Sequence, residues 1–212
     1  LQCTIRRKAT PDNLATGKLK LVLRKKLDNS LLANVFINLN ISNPNVIMTS
    51  ETNPEIMKIL YSTGKLSSPN YLLKNEAKLF KASDFSTSGY TSIFSSNYNI
   101  SNFDEFVYFT GITEIPAYCF ANSRLTSIKL PDSVTKIGSN AFASTQLTTI
   151  DISQFVTSIN KSAFDFCSNL HTITVDSLNP IYTSDEGCVY ENYLDVLYLI
   201  PPAKQEYIMP EQ

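Results

Sequence analysis

The chain has 212 residues, a formal net charge of -1 and 43% hydrophobic residues. That length holds one or two domains with cores of their own. The balance of charge argues against nucleic acid or an anionic membrane surface as partner, because both call for clustered Lys and Arg. No run is long enough for a membrane span. The chain opens on Leu1 rather than Met, which reads as a mature or trimmed form.

From the start to about residue 45 the pattern alternates as strands do. The runs are Lys18 to Arg24 and Ala33 to Ile41, and two or three strands are expected. The basic cluster of Arg6, Arg7, Lys8, Arg24, Lys25 and Lys26 reads as a solvated strand edge or loop in preference to a phosphate site. A helix is expected from Pro54, with Asn53 as N-cap, an apolar face of Ile56, Ile59 and Leu60, and Gly64 at its end. A second helix is expected from Tyr71 to Lys81, with Leu72, Leu73, Ala77 and Phe80 inward. Residues 83–102, rich in Ser, Asn and Thr, read as loop.

From Phe103 onward a repeat takes over. Ile115, Ile137, Ile159 and Ile181 are each 22 apart, and Phe120, Phe142 and Phe164 keep the same step. So do Ile112, Val134 and Val156, while Leu125, Leu147 and Leu170 carry one extra residue in the last interval. Independent registers sharing one step mean stacked supersecondary units. Each unit has a helical turn around its Phe, then L-x-x-I-x-[LIV] as a short strand, a polar turn, and a second short apolar pair. About six large side chains per unit, each worth roughly 1.5–3 kcal/mol when buried, do not offset the backbone entropy of ordering one unit alone. Only the array is stable.

Cys119 sits in the slot of Ala141 and Ala163 and reads as a buried free thiol. Cys167 and Cys188 fall at similar places in adjacent units, which leaves open a bridge or two free thiols. The single His171 aligns with Thr126 and Thr148 at solvent-facing positions, without partners at a metal-ligand spacing. No phosphate loop, nucleophile elbow, HExxH or EF-hand pattern is present, so no catalytic residue, cofactor or metal is assigned. The neighbours Asp104-Glu105 and Asp185-Glu186 read as solvated loop residues, because adjacent strand positions face opposite ways.

The segment Leu125 to Phe142, LTSIKLPDSVTKIGSNAF, resembles the unit of the BspA-like, or Treponema-type, leucine-rich repeat family. Asn160 in place of Gly138, and Asp176-Ser177 in place of Pro131-Asp132, depart from that unit only in turns. The resemblance covers roughly Phe109 to the C-terminus. It implies an α+β protein: a short leucine-rich-repeat solenoid of about 22-residue units, with an N-terminal α+β cap. It also implies export, or display at a bacterial cell surface. The longer last unit resembles the family's hairpin-bearing variant, with Cys188–Tyr190 pairing Asp195–Ile200 through Glu191-Asn192. Residues 207–210 read as the first strand of a further unit.

The division expected is 1–102 for the cap region and 103–212 for the array. Its candidate binding surface is the outer strand face. Thr126, Thr148 and His171 form one row, Ser127, Thr149 and Thr172 a second, and Lys129, Asp151 and Thr174 a third, with Lys129 beside Asp151 as a cross-strand ion pair. The expected function is non-catalytic recognition or adhesion toward a protein or glycan ligand, without nucleic acid or membrane insertion. The alternatives are a structural scaffold or spacer, and an enzyme using the N-terminal half.

Overall fold

The computed structural model describes residues 16–24, 31–40, 45–87, 91–191 and 196–206. The chain forms two compact units, Leu1–Val46 and Ile47–Gln212. In the first, β1 (Thr16–Arg24) and β2 (Leu31–Asn40) pair antiparallel, from Thr16 opposite Asn40 to Leu23 opposite Ala33. These are the two alternating runs of the sequence. Arg6, Arg7, Lys8, Lys25 and Lys26 lie outside the described residues.

The boundary falls at the first residue of β3 (Val46–Thr49), which pairs with β4 (Tyr71–Leu73), and α1 (Pro54–Ser62) lies between them in sequence. Pro54 opens α1 as expected, since its fixed φ suits the first helical position. Asn53 stands at the N-cap, but its amide caps nothing and donates to Glu105 Oε2 at 3.3 Å. Ile56, Met57 and Leu60 are buried, and Gly64, at φ +73°, ends the helix by donating its N–H to the Tyr61 carbonyl.

The single helix expected over 71–81 does not form. Tyr71–Leu73 is strand, followed by the single turns α2 (Lys74–Ala77) and α3 (Ala82–Phe85). Two carboxylates explain the break. Glu76 Oε2 accepts the Leu73 N–H at 3.0 Å, and Asp84 Oδ2 accepts the Lys81 N–H at 2.7 Å. Each bond holds its donor residue extended and starts a new turn after it, so local side-chain bonding wins over helix propagation. The expected inward residues Leu72, Ala77 and Phe80 are all buried, and Leu73 is half-buried.

The loop expected over 83–102 is likewise more than loop. It buries Phe85, Phe94 and Ile100 and contains a bridge between Ser86 and Ser92. It leads into β5 (Asn102–Phe103), which pairs parallel with β7 (Ser127–Ile128). Its polar residues supply turn bonds around those apolar anchors. Asn97 Oδ1 accepts the Asn99 N–H and Asn102 Oδ1 accepts the Asp104 N–H, both at 3.0 Å. Phe94 lies 5.3 Å from Phe120 at 16°, in the stacking arrangement of the repeats that follow.

A 3-10 helix (Asp104–Tyr108) then leads into the regular units. Strands β6 (Glu114–Ile115), β8 (Lys136–Ile137) and β10 (Ser158–Ile159) form one parallel sheet. β9 (Thr149–Ile152) and β11 (Thr172–Val175) form another. Phe120, Phe142 and Phe164 stack at 5.5 Å with interplanar angles of 10° and 6°. The turn around each Phe bonds forward: the Phe120 N–H donates to the Ala141 carbonyl at 2.7 Å, and the Phe142 N–H to the Ala163 carbonyl at 2.9 Å. Two residues beyond each ladder Phe stands a left-handed residue, namely Ser96, Asn122, Ser144 and Phe166.

The last unit is a three-stranded antiparallel sheet of β12 (Tyr182–Asp185), β13 (Cys188–Glu191) and β14 (Val196–Leu199). The expected pairing of the latter two is present. Strand β12 was not anticipated, although Glu186-Gly187 joins it to β13 as a two-residue turn with both φ positive, 45° and 80°. Ile181 does not continue the isoleucine ladder: it is 40% exposed, while Tyr182 is 5% exposed and fills the slot. The extra residue before Leu170 shifts everything after it by one. Asn179, 4% exposed, takes the place of Val156. Its amide donates to the Ser153 and Val156 carbonyls at 2.9 and 2.8 Å, and its Oδ1 accepts the N–H groups of Ile181 and Tyr182 at 2.9 and 2.8 Å. The expected strand at 207–210 lies outside the described residues.

Phe142→Ala empties the middle of the ring ladder and is expected to cost about 3–5 kcal/mol in chemical denaturation. A change under about 1 kcal/mol would refute the register. Phe166, bulky and 80% exposed at φ 61°, carries backbone strain that Asn tolerates better. Phe166→Asn is expected to raise stability by about 1 kcal/mol in the same measurement.

Candidate binding surface

The strand grammar sets the surface. On β9, Ile150 and Ile152 are buried and Thr149 and Asp151 are exposed. On β11, Ile173 and Val175 are buried, Thr174 is exposed and Thr172 half-buried. Register places Thr149 opposite Thr172 and Asp151 opposite Thr174, so these four stand as the two expected cross-strand pairs. Lys129 is exposed just beyond β7, and Lys129, Asp151 and Thr174 share an open depression of ≈ 420 Å³. The expected ion pair between Lys129 and Asp151 is not among those formed within 4.0 Å by the described residues. Asp132 and Asp176 also line the depression, which leaves it three carboxylates to one ammonium.

The two ends of this surface behave differently. The Thr126 hydroxyl donates to the Ser101 carbonyl at 2.7 Å, and the Ser127 hydroxyl donates to Asp104 Oδ1 at 2.5 Å. Both hydroxyl protons therefore tie one repeat to the segment before it. Ser127 lies opposite Asn102 on β5, and β7 is not hydrogen-bonded into the sheet of β9 and β11. At the far end His171 is exposed, with Nδ1 2.9 Å from the Thr172 hydroxyl, and the His171 backbone N–H donates to the Thr148 carbonyl at 3.1 Å. Thr148 is exposed. The turn joining β12 and β13 covers the outer edge of β11. The Gly187 carbonyl accepts the Ile173 N–H at 2.9 Å, and Ser184 Oγ accepts the Val175 N–H at 2.9 Å. A Cβ on Gly187 would lie 3.0 Å from Thr172 Cα, and the backbone there has φ +80°, so glycine relieves both a tight contact and a strained conformation. The edge strand is thereby closed to pairing.

A second hydroxyl row escaped the reading of the sequence. Thr113, Thr135 and Thr157 are 22 apart. The Thr135 hydroxyl donates to the Thr113 carbonyl at 3.1 Å, and the Thr157 hydroxyl to the Thr135 carbonyl at 3.4 Å. Its signal was the same 22-residue step, carried by polar rather than apolar residues. Beside it Glu114, Lys136 and Ser158 are exposed and in register across β6, β8 and β10.

Cys119, Cys167 and Cys188 are buried free thiols, so the bridge left open between Cys167 and Cys188 is absent. Burial raises the Cys119 thiol to about 12 from 9.0, and burial also pushes Cys167 and Cys188 up. The Cys167 thiol donates to the Phe142 carbonyl at 3.0 Å, as a core group rather than a nucleophile. Among the described residues no group of three or more His, Cys, Asp or Glu is arranged to hold a metal ion. No helix there is long and apolar enough to cross a membrane.

Short parallel strands, a stacked Phe ladder and a fixed step define a leucine-rich repeat protein. The model of the BspA type leucine rich repeat region matches residues 91–203 in six copies, and the chain belongs to that family. Solved structures similar to this chain include the following three. A leucine-rich repeat protein from Eubacterium ventriosum is 23% identical, over 55% of this chain and 36% of its own, with a TM-score of 0.45. The pneumococcal vaccine antigen PcpA is 20% identical, over 47% and 32%, with a TM-score of 0.41. A leucine rich cell surface protein from Faecalibacterium prausnitzii is 26% identical, over 50% and 31%, with a TM-score of 0.35. The chain thus spans about a third of the length of these proteins. No curated protein sequence matches it.

Cys119 supplies a test of the core. With its pKa raised from 9.0 to about 12, its contribution to stability is complete below pH 9 and is lost as pH rises toward 12, because the unfolded thiol ionises first. Cys119→Ala, which matches Ala141 and Ala163, is expected to flatten the fall in melting temperature between pH 9 and pH 11. An unchanged slope would refute the assigned burial.

Proposed function

We propose that the protein is a non-catalytic recognition or adhesion module, exported or displayed at a bacterial cell surface, that binds a protein or glycan through its repeats. In this reading residues 103–212 form the solenoid that presents the ligand-binding face, and the region 1–102 includes the N-terminal cap. The observation that carries the reading is the depression shared by Lys129, Asp151 and Thr174. It gathers exposed polar side chains from three successive units, Asp151 and Thr174 in register on β9 and β11 and Lys129 just beyond β7, and Asp132 and Asp176 give it an acidic rim. Thr148, Thr149 and His171 continue the same exposed face. Backbone pairing of β9 with β11 favours recognition, because side chains already held in register lose little freedom on binding. Thr126 and Ser127 serve this reading as fasteners between repeats, and Thr172 as its covered margin.

A second reading, a spacer in a larger assembly, rests on the end of the ring ladder. Phe166 is 80% exposed there, at the position where Asn122 and Ser144 each donate an N–H to the following unit. The two readings separate on an array of glycans and extracellular-matrix proteins probed at physiological salt. Saturable binding that falls at least about tenfold in an Asp151→Ala, Thr174→Ala, His171→Ala variant of unchanged melting temperature is expected for recognition by this face. No binding across the array would reject it in favour of the spacer.

A further inference from the structure

Away from the paired strands, the repeats build a second hollow of ≈ 450 Å³, lined by Tyr98, Asn122, Ser123, Arg124, Ser144 and Gln146. The repeat step gathers these residues. Asn122 and Ser144 hold the left-handed position two after Phe120 and Phe142, while Arg124 and Gln146 immediately precede the buried Leu125 and Leu147 and are exposed. Tyr98 comes from the irregular segment ahead of the first regular unit and is 61% exposed. The guanidinium carbon of Arg124 lies 5.9 Å from the centre of its ring.

The charge of this hollow is one-sided, with Arg124 and no carboxylate among its lining residues. Gln146 Oε1 accepts the Asn169 amide at 2.8 Å, so the open end of Gln146 is its Nε2 donor. The Ser123 hydroxyl is buried and donates to the Phe120 carbonyl at 2.7 Å. Arg124 has only donors, and among the described residues no carboxylate lies within 4.0 Å of it. No Asp or Glu lines the hollow. The depression near Asp151 holds three carboxylates, so the two surfaces are opposite in character. A planar fork of donors beside a flat exposed ring matches a ligand with a carboxylate at one end and an apolar face at the other.

We propose that this hollow binds a carboxylated sugar, a uronic or sialic acid residue of a glycan. Its carboxylate lies on the Arg124 guanidinium and the Gln146 amide, and the apolar face of its pyranose ring lies on Tyr98. Asn122 and Ser144 meet the ring hydroxyls. The site goes beyond recognition by the strand face, because none of its residues lies in β9 or β11, and each surface can fail without the other.

The test is calorimetric titration of the full chain with a galacturonic acid trisaccharide and with sialyllactose, each against its methyl ester, and with hexaglutamate. The expected result is binding of at least one sugar acid, weakened about tenfold or more by esterification and equally by Arg124→Ala. Tyr98→Ala is expected to lose binding and Tyr98→Phe to keep it. Gln146→Glu, which is exposed and keeps the fold, is expected to abolish binding with an unchanged melting temperature. The Asp151→Ala, Thr174→Ala, His171→Ala variant is expected to bind the sugar acid normally. Equal affinity for acid and ester, indifference to Arg124→Ala, failure of both acids to bind, or hexaglutamate binding as tightly as the sugar would each overturn the proposal, the last pointing to an acidic peptide.

Discussion

Everything in the repeat region depends on where a turn sends its backbone N–H groups. In an ordinary helix they would bond within the element. Here the N–H of Phe120 reaches Ala141 and that of Phe142 reaches Ala163, one unit onward. The left-handed residues Asn122 and Ser144 do the same, donating to Ala143 and Asp165 at 2.8 Å. A turn built this way has buried donors that only a neighbour can satisfy, and leaving one unsatisfied costs about 1–3 kcal/mol. The ring ladder fixes the spacing at which that transfer works, at 5.5 Å per step. Apolar stacking and polar satisfaction therefore demand the same 22-residue step, and neither tolerates a slipped register.

The end of the array shows what that demand requires when units stop being alike. One residue is added before Leu170, and the ladders of Val156 and Ile159 reappear one position late as Asn179 and Tyr182. Asn179 replaces a buried methyl group with four hydrogen bonds, so the polar side chain is fully paired in a place where it would otherwise destabilise. Tyr182 accepts the Ile159 N–H at 3.2 Å, and Tyr198 donates to the Ile159 carbonyl. Two phenols stand where the next strand of the β6–β8–β10 sheet would be. Burial lifts the Tyr198 hydroxyl from 10.0 to about 12, which keeps it protonated and able to donate well into the alkaline range.

How much of this the sequence shows depends on whether a feature recurs. The Phe ladder and the strand positions recur and are legible at the 22-residue step, and the pairing of Thr149 with Thr172 is legible once the extra residue before Leu170 is counted. The break at Leu73 does not recur. It comes from Glu76 and Asp84 bonding N–H groups three residues back, a choice that helix periodicity over 71–81 does not reveal. The segment 83–102 carries its apolar anchors Phe94 and Ile100 among serines and asparagines, so composition hides its place in the stack. On the candidate surface, exposure was readable for Thr148, Asp151 and Thr174, but not the engagement of Thr126 and Ser127, whose acceptors lie on Ser101 and Asp104. The meeting of Tyr98 with Arg124 joins the irregular segment to the regular one and leaves no mark in any period.

The forward bonding of each turn has a mechanical side. A tether at each end of such a stack would load its interfaces in series rather than in parallel, because each unit holds only its neighbours. The weakest junction then sets the force at which the array yields, while the units on either side stay folded and able to restack when tension falls. A chain organised in this way extends by discrete steps of one repeat, dissipating work at each step instead of failing as a whole.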